Sequence, residues 1–97
     1  MELAGPRTIE IVRDPEVRSG APVLAGTRMG VHDIVSYAQL YDGDLTKVQA
    51  DFPYLTLETL QAVMGWYEQN REEIDDILRR RRESYQRRLE QTRAARR

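Results

Sequence analysis

The chain has no cysteine and a single histidine, His32. Disulfides and thiolate metal sites are therefore excluded. No second histidine or cysteine is present to build a nucleophile or a metal-ligand set. There is no run of 18 apolar residues, so no stretch reads as a membrane-spanning helix. Residues 1–6 lack the basic-then-apolar layout of a secretory signal, and a cytoplasmic protein is the expectation. No cofactor and no enzymatic activity are expected. The carboxylate pairs Asp42/Asp44 and Asp75/Asp76 fall in turn or exposed helical contexts, and 97 residues leave little room for a pocket.

Basic residues are missing altogether between Val48 and Asn70. A DNA recognition helix should offer Arg, Lys, Asn or Gln to base edges. This stretch offers Glu58, Thr59 and Gln61, a poor electrostatic footprint for DNA. The net charge of −1 conceals an asymmetry. Residues 1–70 hold five Lys+Arg against ten Asp+Glu, a balance of −5, whereas residues 71–97 hold ten Arg against six, a balance of +4. An acidic body carrying a basic tail points to partners for the tail.

What the sequence does contain is organised around residues 20–34, G-A-P-V-L-A-G-T-R-M-G-V-H-D-I. Gly20 and Gly26 suit tight turns at positive φ, and Pro22 holds Ala21 extended. Residues 8–12 alternate polar and β-branched side chains and predict a strand, with 27–29 as its returning partner. Two strands are unstable alone, so they must lie on helices or be completed by a second subunit. Arg28 is expected to pair with Asp14 or Asp33, since its planar fork suits a carboxylate; phosphate contact is the alternative.

Val31, Ile34, Val35, Ala38 and Tyr41 mark one face of a first helix over about 31–41. Asp44 caps a short second helix with Leu45, Val48 and Phe52 as its stripe. Pro53 stops it, and Thr56 caps a third carrying Leu57, Leu60, Val63, Met64 and Tyr67. The fold class expected is mainly α with an N-terminal β-strand pair: a three-helix, helix-turn-helix-like body over 1–70 and a basic helical arm over 71–97.

The run Asp14-Pro15-Glu16-Val17, then Gly20-x-Pro22, Gly26-Thr27-Arg28 and Val31-x-x-Ile34, resembles the family of domain of unknown function 433. Asp51-Phe52-Pro53-Tyr54-Leu55-Thr56 is similar to that family's second landmark, and the likeness covers roughly residues 8–67. Gly20, Pro22, Gly26, Thr27 and Arg28 are the structural motif. Ala21 and Ala25 depart from it, standing where many members carry a basic residue. The resemblance implies a compact helix-turn-helix domain and an antitoxin partnered with a PIN-like nuclease toxin, with operator DNA as a further partner.

From Thr56 to about Thr92 there is no proline and one glycine, so the third helix has no clear stop; if continuous, it spans about 55 Å at ~1.5 Å per residue. Ile74, Ile77, Leu78, Tyr85 and Leu89 continue its apolar positions at heptad-like spacing. Such a stripe is covered either by a homodimer or by a partner on which the arm orders. Arg79, Arg80, Arg81 and Arg82 can pair with Asp75, Asp76 and Glu83 along the helix, or can reach outward. In a metal-dependent nuclease they would enter a carboxylate cluster and replace the metal's charge. The reading that results is an antitoxin whose arm, including all these residues, binds a PIN-like ribonuclease. The alternatives are a dimeric coiled-coil adaptor without DNA binding and a nucleic-acid binder acting through the tail.

Overall fold

The computed structural model describes residues 9–95. Two short strands, β1 (Ile11–Val12) and β2 (Val23–Leu24), precede four helices: α1 (Val31–Leu40), α2 (Leu45–Asp51), α3 (Leu57–Gln69) and α4 (Arg71–Ala95). The strands pair antiparallel, with Ile11 opposite Leu24 and Val12 opposite Val23. Thr8 lies outside the described residues, as does the lead-in before it.

The returning strand is therefore residues 23–24 and not 27–29. The chain needs a turn immediately after Leu24, and Gly26 supplies it at φ +76. The Thr27 N–H donates to the Leu24 carbonyl at 3.1 Å, closing a four-residue turn of the kind that demands positive φ at its third position. Thr27 then spends its hydroxyl locally, donating to Leu24 O and accepting from Met29 N–H. Residues 29–31 run back along β2, with Val23 bridged to Gly30, so the polar alternation at 27–29 belongs to a turn.

The helix starts follow their caps. Asp44 accepts from the Thr46 N–H and Thr56 from the Thr59 N–H. At α1 the cap is Gly30, and Asp33 in the first turn reaches back to accept the Gly30 N–H at 3.0 Å, one half of a capping box. Val31, Ile34, Val35 and Ala38 from α1 meet Val48, Leu55, Leu60, Val63 and Tyr67 in one core. Ile34, Leu60 and Ile74 are fully buried, each worth about 1.5–3 kcal/mol of transfer free energy.

The long helix is not continuous. Asn70 leaves helical geometry at φ −137, ψ 34 and separates α3 from α4. Its N–H bonds the Tyr67 carbonyl and its side-chain amide donates to the Trp66 carbonyl at 2.8 Å, so the amide closes the end of α3. No proline or glycine is needed for such a stop, which is why none signalled it. α4 then turns back onto the body: Ile74 is fully buried, Leu78 is nearly so, and both join the core with α1. The boundary expected at residue 70 thus falls at a helix break, but the compact body includes the first two turns of α4. Beyond them α4 projects, and the molecule measures 64 × 29 × 23 Å.

Candidate functional site

The projecting helix leaves the body where three segments converge: residues 18–22, the first turn of α1, and α4 near Arg81. Residues 18–20 all have positive φ, at 51, 58 and 85. Only Gly20 takes that geometry freely; Arg18 and Ser19 each hold a left-handed backbone that costs an L-residue about 1–2 kcal/mol. The turn aims Arg18 inward. Its guanidinium donates to both carboxylate oxygens of Asp33, at 2.7 and 3.3 Å, and to the Arg28 carbonyl at 2.9 Å. Asp33 therefore pairs with Arg18, not Arg28. The Arg28 side chain is exposed, and the chain needs only its carbonyl here.

His32 is 3% exposed. Its Nε2 lies 3.2 Å from Arg18 Nη2 and 2.7 Å from Arg81 Nη1. Guanidinium groups only donate, so Nε2 must offer a lone pair and the ring proton sits on Nδ1. Nδ1 is buried and has no partner among the described residues. Burial lowers the His32 pKa, and the charges of Arg81 and Arg18 lower it further against the opposing pull of Asp33. The ring is a neutral acceptor between two cations. Burial pushes the Asp33 carboxyl upward, but the hydrogen bonds from Arg18 and the Gly30 N–H outweigh it and keep it below the ordinary range.

Gly30 makes the room for this arrangement. A Cβ there would lie 2.4 Å from His32 Cε1 and 2.7 Å from Nδ1. Its φ of −76 is ordinary, so the need for glycine is steric. The node has the chemistry of a latch: it has acceptors and donors facing one another, and it fixes the angle at which α4 departs. Two further contacts pin the root of α4. Arg13 forms a two-pronged bond with Glu73 at 2.7 and 3.0 Å, and the Tyr67 hydroxyl donates to Asp75 at 2.6 Å across the helix break.

The residues expected to meet a partner divide into two groups. Ile74 and Leu78 are buried in the chain's own core and are not available, and Ile77 packs against that core; α1 needs a cover, and the first turns of α4 provide it. Arg79 bonds Asp76 and Glu83, and Arg80 bonds Asp76, along the helix. Arg81 faces His32, with Asp33 at 3.7 Å. Arg82 is exposed and makes no ion pair among the described residues. Tyr85 is exposed and Leu89 half-buried. Of the motif residues, Gly20 and Gly26 make turns, while Pro22 is fully buried and accepts the Val31 N–H at its carbonyl.

Residues 11–67 match the family described as "Protein of unknown function (DUF433)", well over half of the chain. The chain belongs to the DUF433 family. The match takes in the node's Arg18, Gly30, His32 and Asp33 but stops before α4. Among solved structures, a DUF433 member protein from Anabaena variabilis ATCC 29413 is 36% identical, with a TM-score of 0.59. That likeness covers 71% of this chain and 65% of the Anabaena chain, so this chain matches less than two thirds of that protein. A comparison with curated proteins returns no match. Among the described residues, no helix of this DUF433 protein is long and apolar enough to cross a membrane.

Asp33 stands in the first turn of the helix expected from residue 31, whereas its partner Arg18 and the buried His32 beside it carry no role in the sequence reading. The available signal was the position of the one histidine, between Val31 and Ile34 on the apolar side of α1 and directly before Asp33.

Proposed function

We propose that this DUF433 protein is a stoichiometric inhibitor of antitoxin type, whose arm beyond Leu78 masks a PIN-like ribonuclease. The observation that carries the reading is the projection of α4: its outer part is basic and leaves Tyr85 exposed among the described residues. The body carries −5 over residues 1–70 and offers DNA no basic helix face, so inhibition through protein contact is favoured over operator binding. In this reading arginines 79–82 exchange their contacts within the chain for the carboxylates that hold the nuclease's metal ions, and Arg82, exposed and without an ion pair among the described residues, is the one that needs no exchange.

The reading predicts a PIN-like ribonuclease encoded beside the protein, and an RNA-cleavage assay of that nuclease with increasing amounts of the full chain tests it. Cleavage should cease near equimolar protein and return when residues 79–82 are changed to Ala. Because Arg81 also holds His32, a second variant changes only Arg79, Arg80 and Arg82. Inhibition that survives both variants rejects the reading.

A dimeric adaptor is the second reading, favoured by Leu40, which lies 69% exposed beside the arm. It predicts a dimer that persists on dilution and no effect on the nuclease.

A further inference from the structure

Four large apolar side chains are conspicuously exposed among the described residues: Tyr37, Leu40, Tyr54 and Tyr85. Three of them, 37%, 69% and 55% exposed, line one open groove of about 850 Å³ between α1 and the outer part of α4. Tyr54 lies apart, over a smaller recess beside Arg28. Single exposed apolar residues are ordinary, but three converging on one groove mark an interaction surface.

The groove's charge specifies the partner. Arg81, Arg82 and Arg88 stand along its α4 wall, and Asp33 is the lone acid in its lining. Asp33 is shared between Arg18 and Arg81, which leaves Arg82 and Arg88 as the wall's uncompensated charges among the described residues. Arg82 and Arg88 form no ion pair among the described residues and are exposed. An apolar floor under a basic wall fits an acidic segment with an apolar stripe. A helix with leucines at i and i+4 among carboxylates meets both demands.

We propose that the groove between α1 and the outer part of α4 is a docking site for an acidic amphipathic segment of a partner protein. A second copy of this chain is a poorer occupant, because two-fold docking would set the same arginine wall against itself. Nucleic acid would satisfy the arginines but leave Leu40 uncovered. The inference rests on the proposed function's premise that the arm engages a protein, and it names the chemistry of the segment taken at the arm's root.

The test is an NMR titration of the full chain with a synthetic helical peptide carrying leucines at i and i+4 in a glutamate background. A lysine-background peptide is the control. Saturable shifts should centre on Tyr37, Leu40 and Tyr85, weaken with salt, and be absent with the lysine peptide. Leu40→Asp, at a site too exposed to disturb folding, should weaken binding about tenfold or more. Arg82→Glu with Arg88→Glu should do the same. Four results would overturn the proposal: no saturable shifts, equal binding of the lysine peptide, groove shifts caused by raising protein concentration alone, or displacement of the peptide by a single-stranded RNA. Peptide docking without nuclease inhibition would keep the groove and discard the antitoxin reading; inhibition without peptide docking would do the reverse.

Discussion

Arg81 Nη1 and His32 Nε2 lie 2.7 Å apart, although 49 residues separate them in the chain. The contact joins the first turn of α1 to the point where α4 leaves the body. Neither partner supplies a counter-charge, so the bond depends on the imidazole staying neutral.

Stability should therefore fall on mild acidification. The folded pKa of His32 is lowered, by burial first and by the two arginines next. The unfolded chain thus binds the proton more readily below about pH 6.5. The histidine's contribution is complete above that value and is lost as pH falls towards the folded pKa. Asp33 has a depressed pKa and contributes to the loss only at still lower pH. Thermal melts between pH 7.5 and 5 should show a decreasing midpoint in the wild-type protein. The slope should be much smaller in His32→Gln, which keeps an acceptor but does not titrate. Equal slopes would exclude His32 as the origin.

Gly30→Ala should cost about 1–3 kcal/mol, because the new methyl overlaps a ring held by Arg18 and Arg81. Urea denaturation measures the loss. Combining it with His32→Ala should be less damaging than the two single losses added, since the smaller side chain vacates the space. Full additivity would show that the overlap is relieved elsewhere.

The compact body should end within α4. Ile74→Ala is expected to cost about 2–5 kcal/mol, as befits a fully buried core residue. Tyr85→Ala should stay within about 0.5 kcal/mol. A chain ending at Asn70 should fail to fold cooperatively, whereas one ending at Glu83 should fold. Circular dichroism melts of the two truncations distinguish them, and cooperative folding of the shorter one would contradict this boundary.

Much of this arrangement could be read from the sequence, and what could not has identifiable causes. The caps Asp44 and Thr56 and the stripe Val31, Ile34, Val35, Ala38 stand in the helices their chemistry predicts, because both signals are local. The strand partner was misplaced because Thr27, a β-branched residue, serves a turn through its hydroxyl. The break at Asn70 depends on an amide bonding the carbonyl four residues back, a choice that asparagine makes only in context. The role of Arg18 is not legible locally, because it arises from a left-handed turn facing Asp33, fifteen residues on. Ile74 and Leu78 read as partner-facing in the sequence but lie in the chain's own core, because periodicity shows that a stripe is covered without showing by what.

Tyr67→Phe should destabilise the protein by about 1 kcal/mol through loss of the hydroxyl bond to Asp75 that spans the α3–α4 break. Arg13→Ala should cost less than about 1 kcal/mol in its ion pair with Glu73, since both side chains are well exposed. Chemical denaturation of the two variants should rank them in that order.

Whether the arm beyond Leu78 binds a nuclease, as proposed, is decided by calorimetric titration of a PIN-like ribonuclease encoded beside this protein with the full chain. A saturable heat at one arm per nuclease active site is expected, abolished when Arg79, Arg80 and Arg82 are changed to Ala and the Arg81–His32 contact is left in place. An undiminished heat from that variant, or no heat from the wild-type chain, would contradict it.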